Sequence, residues 1–510
     1  MIGKGKIVLG QRWRPLSALI LALTFLLVPA LTVHADTLAS ATTGVRAVRW
    51  LLTQQKDDGG FPGLKGQSDP STTSDVVLAL ASFGIDPASV TRNQKSPLDF
   101  LAAQATNYAN TVGGAAKLAL AVIASGQSPR SFGGLDLIRQ ITQAYDPKTG
   151  LYSSQLFADA YALLALAAAK VEIPQQAVQG LIVHQGADGS WAWDGSTDAG
   201  AGDSNTTAIV LQALRAAGVA ANDPVIVKGL GYLHTVQQSD GSFGYQPGQD
   251  GDANSTALAI QAILAAGQHP ESNDWHNASA ALLRFANADG AFRWRNDSPD
   301  DNLLATVQAL PALAAVPFPF MLQSASVVAR QDEIQDSLDC DFFAETHHNL
   351  CGAFRTTWQQ AGGLPNLGYP LTRPYYDAQR GAVVQWFERA RLEWHPDMQG
   401  QPMILLGRLG AEWAATHAHG PAFQQTPQST SPACRYFPET HHNVCNGFRA
   451  YWEQFGGLAV FGYPLSEEYT ENGVVVQVFE RARFEWHPGA WPTRYDVLLT
   501  RLGAEQLGVS

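Results

Sequence analysis

The chain has 510 residues, a formal charge of -12 and only 15% charged residues, where soluble proteins average about 25%. Its 45% hydrophobic and 10% aromatic residues exclude an intrinsically disordered protein and predict buried cores in about three domains. The excess of acidic over basic residues argues against a nucleic-acid partner, because phosphate binding needs a basic surface.

The first 35 residues have the pattern of an export signal. Basic residues precede an apolar segment at 16–31, and Val33-His34-Ala35 provides an A-x-A-like cleavage site. Cleavage there removes four positive charges and lowers the formal charge from -12 to -16. We therefore expect a secreted or cell-surface protein without a stable membrane span. The alternative is an uncleaved anchor, because residues 15–33 are nearly long enough to cross a bilayer.

Residues 40–315 contain six copies of one sequence pattern. In the four clear copies, an Asp-Gly-x-aromatic turn begins three residues after a glutamine, or after an alanine in the last copy. These turns are Asp58-Gly59-Gly60-Phe61, Asp188-Gly189-Ser190-Trp191, Asp240-Gly241-Ser242-Phe243 and Asp289-Gly290-Ala291-Phe292. The two weaker copies keep Thr149-Gly150-Leu151-Tyr152 and Val112-Gly113-Gly114. We expect the repeated aromatic residue to pack between repeats.

Each turn is followed by a segment that is apolar on nearly all sides, which predicts a buried helix. The six segments are 76–83, 115–124, 158–169, 208–217, 257–266 and 303–313. Segments before the turns, such as 45–55 and 227–237, mix polar and apolar positions and predict half-exposed outer helices. Six inner and six outer helices favour two concentric rings, because closure of the ring buries every inner helix.

The Gln-x2-Asp-Gly-x-aromatic turns resemble the prenyltransferase/squalene cyclase repeat of terpenoid cyclases and protein prenyltransferases. The resemblance implies a mainly α protein with an α6/α6 toroid of six helical-hairpin repeats over residues 36–316. It does not imply one activity, because the same fold occurs in cyclases, transferases, cobalamin carriers and the thioester domains of complement-like proteins.

The catalytic motifs known from proteins with this fold are absent from the sequence. Neither 250–252 nor 297–301 fits the D-x-D-D acid of the cyclases, and residues 36–339 lack the cysteine that a zinc-dependent transferase or a thioester requires. We therefore expect a non-catalytic binding protein without a cofactor or metal. The alternative is a squalene-type cyclase or prenyl-processing enzyme with an unconventional acid, for which the candidates are Asp252, Asp300 and Asp301.

Short polar residues lead into the predicted inner helices. Helix capping is the favoured interpretation, since each cap contributes about 1 kcal/mol. The alternative is a polar, acidic rim around a central cavity, suited to a small neutral or cationic ligand. The ligand candidates among these residues are Asp75, Asp203, Asn205, Asn254 and Asn302. Three further ligand candidates lie two residues after a repeated aromatic residue: Trp193, Tyr245 and Trp294. For these three, simple burial is the alternative.

Residues 340–413 and 434–510 are two copies of a second module. Cys340-x10-Cys351 recurs as Cys434-x10-Cys445, each pair enclosing Glu-Thr-His-His-Asn. The pattern predicts two small α+β modules with one disulfide each, because paired cysteines in an exported chain are normally oxidised. A zinc site that uses the cysteines and the enclosed histidines is the alternative.

The order Gly-Tyr-Pro, Gln-x-Phe-Glu and Glu-Trp-His-Pro in each module resembles the LGFP-type repeats of bacterial wall-associated proteins. The resemblance implies binding to cell wall or another glycan. The surface-binding candidates are Trp386, Arg389, Arg391, Trp394, Arg481, Arg483 and Trp486. For the charged residues, a cross-strand ladder on a solvated face is the favoured alternative. Residues 317–339 and 414–433 are interpreted as linkers, the second flexible enough for two weak sites to act with avidity.

Overall fold

The computed structural model describes residues 32–333, 340–395 and 404–509, so most of the predicted export signal lies outside the described residues. The described chain is mostly helical, with small antiparallel sheets and two disulfides. No helix in this part of the chain is long and apolar enough to span a membrane.

In residues 32–313, buried helices alternate with partly exposed ones, as predicted. The buried set, here called the core helices, is α2 (Pro70–Ser82), α4 (Val112–Ala124), α6 (Leu156–Ala168), α8 (Ser204–Ala216), α10 (Ala253–Ala265) and α12 (Leu303–Leu313). The flanking helices are α1 (Thr32–Thr53), α3 (Pro97–Tyr108), α5 (Leu137–Gln143), α7 (Gln175–Ile182), α9 (Pro224–Val236) and α11 (Ala278–Leu283). Two hairpins join the set: β1 (Phe243–Gly244) with β2 (Gly251–Asp252), and β3 (Arg293–Arg295) with β4 (Ser298–Asp301).

The core helices pack in chain order. Each contacts the next one from α2 to α12, and α12 also contacts α2. In the flanking layer, the first helix α1 contacts the last helix α11, and it also contacts the core helix α12. The first and the last repeat therefore meet in both layers.

The glycines of the repeated turns explain how neighbouring repeats approach so closely. They have φ between +76° and +104°, which favours glycine, and are Gly59, Gly150, Gly189, Gly241 and Gly290. A Cβ on any of them would lie 2.3 to 2.5 Å from the backbone of the next flanking helix or of the residues leading into it. For Gly290 that backbone belongs to Arg46 of α1, so the last turn packs on the first helix.

The repeated glutamine connects each turn to the following repeat. The side-chain amide of Gln185 donates to the carbonyl of Gly189 in its own turn and to that of Val225 in α9, both at 3.0 Å. Gln55 and Gln237 make the corresponding bonds. The glutamine thus satisfies buried carbonyls that neither the turn nor the helix satisfies alone.

A buried threonine holds the repeated aromatic residue. Thr207 Oγ1 accepts from the backbone N–H of Trp191 at 3.0 Å. The same bond occurs through Thr73, Thr256 and Thr306. In the third repeat Asp159 takes this position, and its Oδ1 accepts from the N–H of Tyr152. Asp159 is fully buried, its Oδ2 has no hydrogen-bond partner, and burial raises its pKa to about 7.

Residues 317–333 pack on the helical region, where a linker was predicted. The N–H of Phe318 donates to Gln212 Oε1 in α8, and the N–H of Gln323 donates to the carbonyl of Ala81 in α2. The short helix α13 (Ala325–Val328) follows and adds Val328 to a core shared with the first module. The rest of the predicted linker, 334–339, lies outside the described residues.

Each module contains a two-stranded hairpin, two short helices, a four-stranded antiparallel sheet and a final helix. The first copy comprises β5 (Cys340–Phe343), β6 (His348–Cys351), α14 (Gly352–Gln360), α15 (Gly363–Leu367), β7 (Tyr375–Asp377), β8 (Ala382–Trp386), β9 (Arg391–Trp394), β10 (Ile404–Leu406) and α16 (Leu409–His417). The second comprises β11 (Cys434–Phe437), β12 (His442–Cys445), α17 (Asn446–Phe455), α18 (Gly457–Val460), β13 (Tyr469–Glu471), β14 (Val474–Val478), β15 (Arg483–Trp486), β16 (Val497–Leu499) and α19 (Leu502–Leu507). In both sheets the strands are neighbours in chain order.

The two modules pack against each other through their final helices. The N–H of Ala411 in α16 donates to the carbonyl of Glu480 in the second copy, and the N–H of Ala504 in α19 donates to the carbonyl of Glu388 in the first. The segment 414–433 also differs from the flexible linker that was predicted, because the N–H of Thr426 donates to the carbonyl of His441. The two modules form one paired unit. They are therefore not two independent sites on a flexible linker, as the predicted avidity required.

Candidate functional site

The polar residues at the amino-terminal ends of the core helices are largely helix caps. Asp203, Asp252 and Asn302 are the N-caps of α8, α10 and α12, and each accepts a hydrogen bond from the backbone N–H three residues later at 2.8 to 2.9 Å. Burial raises the pKa of Asp203 and of Asp252 above the ordinary value. The capping interpretation is confirmed for these three residues.

Asp75 has a different role from the one predicted. The sequence Asp69-Pro70 starts α2 earlier, with Asp69 as its N-cap, so Asp75 lies in the second turn. Its Oδ2 lies 2.6 Å from Lys117 Nζ of α4, and both side chains are mostly buried. Lys117 also donates to Ser71 Oγ at 3.0 Å. The single lysine in an otherwise apolar helix was the sequence signal for this ion pair, and it was missed.

The charges of this pair depend on each other. Burial raises the pKa of Asp75 above its ordinary value, although the charge of Lys117 and its hydrogen bond lower it. Burial lowers the pKa of Lys117, but interactions with Asp75, Tyr161 and Tyr108 together outweigh burial and leave that pKa above its ordinary value. The buried phenol of Tyr161 in α6 lies within electrostatic range of Lys117, and burial raises its pKa to about 12. Helices α2, α4 and α6 thus contribute to one polar cluster.

Two amides extend the polar surface across the other core helices. Asn254 Nδ2 of α10 donates to Gln308 Oε1 of α12 at 2.6 Å. Asn205, in the first turn of α8, is half-buried. Gln308 was not predicted, because a lone glutamine within an apolar helix carries no motif.

Three loops, here called the arms, connect repeated aromatics to core helices and comprise residues 192–203, 244–252 and 293–302. Trp193, Tyr245 and Trp294 are 53%, 37% and 42% exposed, whereas the repeated aromatics two residues earlier are fully buried. The arms touch one another: Gln246 Nε2 of the second arm donates to the carbonyl of Gly202 of the first, and β3 of the third arm contacts β2 of the second. The three predicted ligand candidates therefore lie on the surface of one connected set of loops.

The three candidate acids differ in their surroundings. Both carboxylate oxygens of Asp252 accept from Ser255, one from its N–H and one from its hydroxyl. Asp300 and Asp301 are exposed on β4, and Asp301 accepts from Asn287 Nδ2 at 2.8 Å. An acid that protonates an alkene needs shielding from water, which an exposed strand does not supply.

In the modules, four of the predicted surface-binding residues are buried. Trp386 and Trp394 belong to the cores of the first copy, and the indole N–H of Trp386 donates to Tyr375 Oη at 3.0 Å. Arg391 is buried between Glu393 and Glu412, each within 2.5 Å. Trp386 and Arg391 face the final helix, and Trp394 packs in the core shared with α14 and α15, so neither the surface-binding site nor the solvated charge ladder is correct here.

In the second copy, Arg483 is also buried, where it pairs with Glu471 and donates to Thr500 Oγ1. Arg389 and Arg481 reach across the modules: each donates from Nε to a carbonyl of the other copy, that of Leu499 and of Leu406 respectively. Trp486 is 43% exposed and is the one tryptophan of the predicted set that lies on the described surface.

The cysteines form the predicted disulfides, Cys340 with Cys351 and Cys434 with Cys445. Zinc coordination by these sulfurs is therefore wrong. In each copy one of the enclosed histidines faces a carboxylate: His348 Nδ1 lies 3.2 Å from Glu333, and His442 Nδ1 lies 3.2 Å from Glu467.

No protein-family model matches the chain, and no curated protein matches it. Several solved structures are similar in fold at low sequence identity. The type II terpene cyclase MstE from Scytonema is 15% identical over 54% of this chain and 98% of its own, with a TM-score of 0.41. A protein from Actinoplanes is 18% identical over 54% of this chain and 99% of its own, also at 0.41. A wild-type glycosidase is 15% identical over 56% and 99%, at 0.38. These likenesses concern fold and carry no conclusion about activity.

Proposed function

We propose that the protein is an extracytoplasmic, non-catalytic binding protein whose helical region is an α/α toroid. The contacts of α12 with α2 and of Gly290 with Arg46 support closure of both helical layers. The export pattern at the amino terminus and the two disulfides support the compartment.

The ligand surface is the amino-terminal side of the core helices. One observation carries this proposal: three aromatic side chains at the same position of three successive repeats stay exposed while their neighbours are buried. Burial of each ring would stabilise the fold, so exposure at a repeated position favours a role in contact with a ligand. The first two turns of the core helices add polar groups that can fix the orientation of a ligand, including the Asn254–Gln308 pair and the Asp75–Lys117 pair.

The paired modules serve as the attachment unit in this proposal. Because most of the predicted surface residues are internal, Trp486 of the second copy is the remaining candidate for contact with a wall glycan. The first copy is joined to the helical region instead, since Arg373 donates to the carbonyl of Ala314 and the rings of Tyr376 and Phe83 lie 6.1 Å apart.

The test is calorimetric titration of the full chain with three probes: chitohexaose, an octapeptide of alternating arginine and glycine, and squalene. We expect at least one probe to bind, and the triple variant Trp193→Ala/Tyr245→Ala/Trp294→Ala to lose that binding. Val227→Ala is the control, because it removes an exposed apolar side chain of α9 that lies outside the arms and has no proposed role in binding. Binding that persists in the triple variant would overturn the proposed surface.

Catalysis is examined separately by incubating the protein with squalene and with polyprenyl diphosphates. We expect no cyclised or transferred product. A product that disappears in Asp252→Asn would show that the protein is an enzyme and would end the non-catalytic proposal.

A further inference from the structure

Two of the arms carry, within five residues of their exposed ring, carboxylates that have no basic partner within the described chain. Asp194 and Asp198 follow Trp193 on the first arm, and Asp250 follows Tyr245 on the second. All three carboxylates are exposed, and within the described chain none forms an ion pair with lysine or arginine. Neither 192–203 nor 244–252 contains a lysine or arginine that could neutralise them.

The third arm shows the same ring and carboxylate with a cation in place. The guanidinium carbon of Arg295 lies 4.4 Å from the centre of the Trp294 ring. Its Nε lies 3.2 Å from Asp297 Oδ1 of the same arm. A guanidinium over an indole is attracted by the negative face of the ring, and the carboxylate holds it there. In the third arm, the ring and the carboxylate therefore already bind a cation of the same arm, whereas the first two arms contain no cation.

We propose, resting on the binding function above, that the first two arms bind a basic segment of a partner protein. Two arginine or lysine side chains of that segment stack on Trp193 and Tyr245 and pair with Asp194, Asp198 and Asp250. The charge of the arms is complementary to such a segment and repels anionic ligands. The two arms are in direct contact. One short peptide with two cationic side chains can therefore bind both rings at once.

The experiment measures the affinity of the full chain for the arginine–glycine octapeptide at low salt. The affinity of the variant Asp194→Asn/Asp198→Asn/Asp250→Asn for the peptide should be lower by about tenfold or more. Added NaCl should weaken binding of the peptide by the wild type. Glu172→Gln, an exposed carboxylate in front of α7, is the matched control and should bind as the wild type does.

Arg295→Gln gives the sharper test. Removal of the internal cation frees the Trp294 ring and Asp297, so the peptide should bind about threefold more tightly, whereas a merely structural role of the arms predicts no gain. Unchanged affinity in the triple carboxylate variant, or equal binding of a glutamate–glycine octapeptide, would overturn the proposal. Binding of chitohexaose without binding of the basic peptide would also overturn it and leave the binding function intact. Failure of every probe would remove both.

Discussion

The helical repeats and the C-terminal modules both come from repeated sequence, but their repeated residues make contacts at different levels. In the helical region, Gln185 joins its own turn to the next repeat, and the same bond recurs along the chain. In the modules, Arg408 pairs with Glu480 and Arg501 pairs with Glu388, so each copy binds the other reciprocally. Repetition in the first case builds a series, and in the second it builds a symmetric pair.

This difference explains why the module residues were misassigned. Aromatic and arginine side chains that recur in two copies resemble two equivalent binding surfaces. In a pair with approximate two-fold symmetry, however, the same residues can meet across the interface, because a self-complementary patch uses one set of residues twice. Arg389 and Arg481 are examples, since each binds a carbonyl of the opposite copy.

The largest expected effect is a difference in stability between two tryptophan variants. Trp386 is buried in the sheet of the first module, and Trp486 is exposed on the corresponding sheet of the second. Trp386→Ala should destabilise the protein by about 4 kcal/mol, because it opens a cavity in the core that the two final helices share. Trp486→Ala should change stability by less than about 0.5 kcal/mol, because the side chain is exposed. Thermal and urea unfolding measure both. Equal losses in the two variants would contradict the paired-module arrangement.

The next effect concerns the reciprocal docking itself. A Cβ on Gly503 would lie 1.9 Å from the carbonyl oxygen of Phe387, and one on Gly410 would lie 1.9 Å from that of Phe479. Gly503→Val and Gly410→Val should therefore each cost about 3 kcal/mol, since backbone atoms cannot yield as a flexible side chain does. Faster hydrogen exchange in both modules after either single change is the accompanying signature.

Gly231→Ala in α9 is the control for these two variants. Nothing lies within 4 Å of the added Cβ, so alanine should stabilise the helix by up to about 1 kcal/mol. Wild-type exchange rates in Gly503→Val would show that α19 does not hold the first copy.

The third effect lies in the helical repeats. Asp159 occupies the position that threonine holds in four other repeats, and burial raises its pKa to about 7. An aspartate in the unfolded chain titrates near about 3.9, so between these values the folded state keeps a proton that the unfolded state loses. Stability should therefore fall as pH rises from 4 to 7 and level off above.

Asp159→Thr should stabilise the protein by about 2 kcal/mol at pH 8 and by much less at pH 4. The reciprocal variant Thr207→Asp should be destabilised with the same pH dependence. The readout is the free energy of unfolding across this pH range. A gain in Asp159→Thr that does not depend on pH would show that ionisation of the buried carboxyl is not what destabilises the wild type.

The sequence predicted the fold of the helical region well and its site only in part. Segments that are apolar on nearly all sides located the six core helices, because complete burial leaves a signal that can be recognised without knowledge of the neighbouring helices. The Asp75–Lys117 pair was missed since its two residues lie on different helices, and only packing brings them together. The same limit applies to the modules: local pattern predicted their strands and disulfides, whereas the exchange of final helices depends on contacts across the duplicated pair.

The smallest effect tests whether the helical series depends on its repeated glutamine. Gln237→Ala removes donors to the carbonyls of Gly241 and Trp275 and should cost about 1 kcal/mol, with the loss located between the fifth and sixth repeats. Gln179→Ala, an exposed glutamine of α7, is the control and should stay within about 0.5 kcal/mol of the wild type. The natural Ala286 shows that the sixth repeat forms its turn without this glutamine, and Gly290 there packs on α1 as the other turn glycines pack on their next flanking helices or the residues leading into them. Hydrogen exchange that stays local to α9 and α11 in Gln237→Ala would support stepwise coupling between neighbours, and exchange spread evenly over all core helices would contradict it.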